Sequence, residues 1–205
     1  MSDQSAWQLT SEAAKAPPPR EADVVDAVRA LGWSGVALPE ISLVGCRLVP
    51  VVDLDVDAHN LREASGHGPQ LDADTLAVWE WPESAGMAPP PALRLSGVLF
   101  RARRGWRRAL REARSWRGFG PAAVLVPAGA FTDEVCRLEF AVYGIGLVPS
   151  DPAGEGPALR ADDPVGAAVL PELGRSARGR RRTADRWVEE TLYRHAHDHG
   201  FYPSV

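Results

Sequence analysis

Apolar positions along this chain recur in two periods. In residues 21–31, Val24, Val28 and Leu31 fall at i, i+4 and i+7, and Gly32 follows. That spacing predicts an amphipathic helix closed by a glycine. Val36 to Val44 and Arg47 to Leu54 are β-rich runs, with Gly45-Cys46 as the expected hairpin turn. Pro39 and Pro50 inside these runs point to edge positions or bulges, because proline cannot donate to a ladder. Residues 55–70 are polar and contain Gly66 and Gly68, which reads as a loop. Thr75 to Trp81 reads as a third strand and Pro82 to Pro91 as a proline-rich connection.

A fourth strand is expected from Leu93. It alternates Leu93/Leu95 against Arg94/Ser96, then turns wholly apolar through Val98-Leu-Phe100, as a strand at the centre of a sheet does. A helix follows in which Trp106, Ala109, Leu110, Ala113 and Trp116 share one stripe while Arg104, Arg107, Arg108 and Arg111 face away. Ala122 to Val126 predicts a short buried strand. Thr132 is placed to cap a helix whose first turn carries Asp133 and Glu134 and which ends at Gly144. Ile145 to Val148 predicts another strand, and Thr183 to His199 a last helix with Trp187, Val188, Thr191 and Leu192 on its apolar face. The expected organisation is a disordered Pro-rich tail over 1–19, an α/β core over 20–149, and a loop with a C-terminal helix over 150–205. The fold class that follows is α/β, a central mixed β-sheet flanked by helices.

Composition adds a charge asymmetry to this picture. The net charge is −4, yet residues 1–99 are acidic on balance and residues 100–205 basic. Between Arg101 and Arg117 stand eight arginines and one acid, and residues 175–182 add a second cluster that ends in Arg180, Arg181 and Arg182. Lys15 is the only lysine. Blocks of this kind either neutralise phosphates or form a solvated face. No apolar run approaches the roughly 20 residues that span a bilayer, and the first ten residues carry neither the basic nor the apolar region of a secretory leader. Cys46 and Cys136 lack metal or redox spacing and are expected as buried thiols in a reducing cytoplasm.

The order of helix, hairpin, strand, strand, helix, strand, helix, strand resembles the restriction-endonuclease-like, or PD-(D/E)xK, fold. The similar stretches are Trp106, Ala109-Leu-Arg-Glu-Ala113, Ala123-Val-Leu-Val-Pro127 and Gly144-Ile-Gly-Leu-Val148, within residues 21–149. The resemblance implies a Mg²⁺ site built from an acidic residue and the Glu/Asp of an E-x-K pair, with the lysine activating water and stabilising charge on the phosphate. On a strand the x spacing turns both side chains of that pair to one face. Here the pair would fall on Phe100/Ala102 or on Arg101/Arg103, and neither choice supplies a carboxylate or a lysine. The same resemblance implies remnant metal-site carboxylates at Asp74 and Glu40, and matches Glu112 to a helix position that often holds glutamine.

The sequence therefore leads to a nuclease-like scaffold without nuclease chemistry, a nucleic-acid-associated or accessory protein of a bacterial cytoplasm. Arg101, Arg103, Arg104, Arg107, Arg108 and Arg111, with Arg180 to Arg182, are the expected phosphate contacts, and no metal or other cofactor is expected. One alternative is a Mg²⁺-dependent nuclease with a relocated site at Glu40, Asp74 and Glu80. Another is a protein-interaction module, a homodimer or the binder of a partner protein, using the Trp79/Trp81 strand or the C-terminal helix. His195 and His199 share a helix face, but their place at a helix C-terminus is an ordinary one for cationic side chains. Asp53, Asp55 and Asp57 read as loop solvation, because the glycine and distal glutamate of a Ca²⁺ loop are missing.

Overall fold

The computed structural model describes residues 21–84, 86–150, 170 and 183–202. The expected N-terminal tail, the loop from 151 to 164 and the cluster ending in Arg180, Arg181 and Arg182 lie outside the described residues.

The first helix, α1 (Glu21–Ala30), ends as its sequence dictates. Gly32 adopts φ 64°, and Trp33 N–H and Gly32 N–H donate to the carbonyls of Val28 and Arg29, closing a Schellman motif. Two short strands follow, β1 (Val36–Ala37) and β2 (Ile41–Leu43), and both pair antiparallel with the same edge of β3 (Cys46–Leu54). The turn is therefore Val44-Gly45 rather than Gly45-Cys46, since Cys46 already pairs with Leu43. Pro50 sits inside β3 where its partner changes from β2 to β1, and its carbonyl accepts from Leu38 N–H at 2.9 Å. The missing proline donor thus falls at the crossing between two partner strands, where the ladder is already interrupted.

Two segments depart from the sequence reading. Residues 55–70, expected as a loop, contain α2 (Val56–Ala64), capped by Asp55, which accepts from Ala58 N–H at 2.8 Å. Its buried positions are Ala58, His59 and Arg62, so the inward face is mostly polar and leaves no hydrophobic period to detect. The expected third strand is also helical. It is α3 (Ala73–Trp79), with Asp72 as N-cap accepting from Thr75 N–H at 3.2 Å, followed by a 3-10 turn over Pro82–Ser84. The buried residue of this helix is Leu76.

From β4 (Leu93–Arg101) onward the elements are α4 (Trp106–Ser115), β5 (Ala122–Pro127), α5 (Ala128–Phe131), α6 (Glu134–Tyr143), β6 (Gly146–Ser150) and α7 (Thr183–Asp198), the expected order with α5 added. The cap of α6 is Asp133, accepting from Val135 N–H at 3.0 Å, and not Thr132, whose hydroxyl donates back to Ala128 and Gly129 in the unforeseen α5.

The strand order is β1-β3-β4-β5-β6 with β2 also on β3; β4, β5 and β6 run parallel and β3 runs antiparallel to β4. Helices flank this mixed sheet on both faces. Val24 and Ala27 of α1 and Leu31 just after it cover one face with Val49, Val51, Leu99, Ala123 and Leu125. On the other, α4, α6 and α7 enclose Leu48, Val98, Phe100, Val124 and Leu147. The register slips between Val51 and Val52, which leaves Ser96 unopposed. This bulge lets Leu93, Leu95, Val98 and Phe100 all serve the same core despite the broken parity. Each large side chain so enclosed is worth about 1.5–3 kcal/mol relative to exposure. Among the described residues no helix is long and apolar enough to cross a membrane.

Candidate functional site

The antiparallel pairing of β3 and β4 brings the beginning of β3 beside the end of β4. At that end of the sheet a recess of about 290 Å³ opens, lined in part by Glu40, Arg47, Arg101, Arg103, Arg104 and Arg108. Cys46 and Glu112 also reach it. Three separate segments supply the arginines: the start of β3, the end of β4 with its following turn, and the first turns of α4. Gly105, at φ 96°, turns the chain from strand to helix, and only a residue without Cβ adopts that conformation readily.

Phe100 is wholly buried in the core beneath α4 and α7, so alternation turns Arg101, the last residue of β4, to the other face; Arg103 lies past the strand in a turn, its N–H donating to the Arg101 carbonyl at 2.8 Å. Both turn to Glu40. Arg103 donates to its Oε2 at 2.7 Å, Arg101 Nε lies 3.9 Å from the same oxygen, and Arg47 reaches Oε1 at 2.9 Å. Glu40 is only 18% exposed. On the helical wall Arg108 pairs with Glu112 at 2.9 Å, an i, i+4 contact. Five arginines thus meet two carboxylates, and a cationic excess is left in a concave site.

Mg²⁺ requires several oxygen donors with lone pairs directed at the ion. Where the resemblance expects a carboxylate and a lysine, Arg101 and Arg103 offer guanidinium groups, which donate hydrogen bonds and cannot ligate. The Glu40 oxygens are already engaged by arginines. The residues present do not fit the metal. Asp74 is exposed in the first turn of α3 and Glu80 is the C-cap of that helix, which packs chiefly on α7 and the 3-10 turn. Among the described residues no group of three or more His, Cys, Asp or Glu side chains could hold a metal ion.

The arginines expected to face away from the core do so, but they divide between surfaces. Arg104 and Arg108 belong to the recess. Arg107 turns towards α6, 3.6 Å from Glu139 and stacked 4.3 Å over the Trp106 ring, and Arg114 stacks 3.8 Å over Tyr143. Arg111 is exposed. Trp79 is not on a strand face; it lies beneath the Arg186 guanidinium, while Trp81 follows α3 and is exposed.

Two features escaped the sequence. Arg47 follows a turn and precedes the core residue Leu48, so alternation turns it away from the core without saying what it meets. The other is a buried polar cluster under α7. Arg62 grips Glu190 through two bonds of 2.9 and 2.7 Å, Arg186 adds a third at 3.0 Å, and Gln70 N–H donates at 3.0 Å. Arg62 also lies 4.5 Å over the Tyr193 ring. His59 bonds the Tyr193 hydroxyl at 3.0 Å and stacks on Tyr202, and burial holds its pKa below the ordinary value. These bonds join α2 and the segment at Gln70 to α7, so the cluster fastens elements together.

The remaining motifs have structural partners. His195 Nε2 bonds the Pro39 carbonyl at 2.9 Å, and His199 Nδ1 bonds the His195 carbonyl at 2.8 Å. Asp53, Asp55 and Asp57 border a recess at the opposite end of the sheet, where Asp55 acts as the α2 cap. No family model matches this chain, and no curated protein or solved structure matches it either.

Proposed function

We propose that this chain is a catalytically degenerate nuclease-like domain that works as a nucleic-acid-associated or accessory protein, holding phosphate groups in the arginine recess. The observation that carries the reading is the convergence of Arg47, Arg101, Arg103, Arg104 and Arg108 from three segments on one concavity. Guanidinium groups suit this task, since their planar fork matches two phosphate oxygens at once. A strand that feeds directly into a helix beginning with Trp106 agrees with the resemblance to the PD-(D/E)xK fold, as does the order of strands and helices after Leu93. With Arg101 and Arg103 in place of a metal ligand and a lysine, the reading includes binding without hydrolysis. The free thiols of Cys46 and Cys136 accord with a cytoplasmic location.

Titration of labelled single-stranded DNA, duplex DNA and RNA with the purified chain at low salt tests this. Arg104→Glu is expected to weaken the preferred nucleic acid about ten-fold or more, because a charge-assisted hydrogen bond is worth about 1.5–3 kcal/mol. Arg94→Glu makes the same change of charge at the other end of β4 and is expected to alter affinity less than two-fold. Equal losses would reduce the effect to overall charge, and no binding by the unaltered chain rejects the reading outright.

A further inference from the structure

The recess holds more positive charge than one internal phosphate can use. Arg47, Arg101, Arg103, Arg104 and Arg108 stand against Glu40 and Glu112, five cations against two carboxylates, which leaves three positive charges in excess. A phosphodiester within a strand brings a single negative charge and two free oxygens. A phosphomonoester at a strand end brings about −1.5 to −2 near pH 7 and three free oxygens. That end phosphate and the diester beside it together carry close to three negative charges, which matches the excess.

The start of α4 adds a second, separate reason. Its N-cap is Gly105, on the rim of the recess, and glycine has no side chain to satisfy the first free N–H groups of the helix. The first turn holds Arg107 and Arg108 and no acidic residue, the reverse of what the positive end of a helix dipole favours. A dianion at this place relieves the repulsion and meets the unpaired donors. We propose that the recess selects a terminal phosphomonoester of a nucleic acid over the internal phosphodiesters, a preference that rests on its phosphate-binding role and narrows that role to strand ends.

Fluorescence anisotropy with the full chain tests it, using short single-stranded oligonucleotides labelled at the opposite end. Each carries a hydroxyl, a phosphate or a methyl-esterified phosphate, at the 5′ end in one set and at the 3′ end in another. At least one phosphorylated end is expected to bind about ten-fold tighter than its hydroxyl counterpart, the gain of a charge-assisted hydrogen bond. The methyl ester keeps the phosphorus but only one charge, and is expected to lose most of that gain. Arg104→Glu should abolish the preference and Arg94→Glu should keep it; each is a ratio within one protein, so a general loss of affinity does not imitate the result. Equal affinity for phosphate and hydroxyl ends overturns the proposal while leaving phosphate binding by the recess intact. No binding to any of the oligonucleotides removes the phosphate-binding role as well. A preference that survives Arg104→Glu overturns the proposal, as does a nucleoside monophosphate that competes as well as the phosphorylated oligonucleotide.

Discussion

Glu40 illustrates how a residue's neighbours decide its chemistry. A carboxylate beside the end of a central strand is a natural metal ligand, but Glu40, on the segment between the edge strands β1 and β2, has Arg103 at 2.7 Å and Arg47 at 2.9 Å and becomes the internal counter-ion of a cationic recess. His59 shows the same rule in the opposite sense. Enclosed by Tyr193 and Tyr202, it is penalised for taking a proton; the nearby Arg62 and His197 add to that penalty and Glu63 partly relieves it. Its folded pKa lies below the ordinary 6.5, so just below that pH the unfolded chain binds the proton that the folded protein refuses. Stability is then complete above the ordinary value and is lost as pH falls from there towards the folded pKa. Denaturation measured between pH 7 and pH 5 is expected to show this decline, with a flatter profile in His59→Phe. Parallel profiles for the two proteins would show that His59 does not contribute. Cys136 is held in the same way, its thiol pushed up to about 11 by burial, and is not a nucleophile at neutral pH.

At the scale of elements, the legible parts of the sequence were those whose buried face is hydrocarbon. The run from α4 to β6 is readable because Trp106, Ala109, Leu110 and Ala113 keep helical spacing and Ala122 to Val126 is continuously apolar. Helix α2 was hidden because its buried face is His59 and Arg62, polar side chains that only tertiary partners can satisfy. Those partners lie 128 and 134 residues away in α7, a separation no local pattern encodes. The Arg62–Glu190 pair joins α2 to α7, with the two side chains 1% and 2% exposed. Breaking such a pair leaves a charge stranded in the interior. Glu190→Ala is therefore expected to cost about 3–5 kcal/mol in urea denaturation, a large part of the usual stability of a domain. A loss below about 1 kcal/mol would mean that water reaches the cluster. The recess was half legible. Arg101 and Arg103 were visible as a pair, but their convergence with Arg47 and Glu40 depends on how two strands register.

For the whole molecule, the mixed sheet with helices on both faces provides a rigid frame, and the antiparallel β3–β4 pair sets the arginines at one end of it. The acidic first half supplies Glu40 as counter-charge, while the basic second half supplies most of the lining. The surface proposed for contact is the concave cationic site at the sheet end. The central claim is that this site neutralises phosphates, and salt dependence tests it most directly. Fluorescence anisotropy of a labelled oligonucleotide across a salt series should give an association constant that falls linearly on logarithmic axes. Contact with three or four phosphates predicts a slope of roughly −3, at about −0.9 per phosphate for duplex DNA, and a shallower slope in Arg104→Glu. An association constant that does not change with salt, or no binding at the lowest salt, would contradict the account.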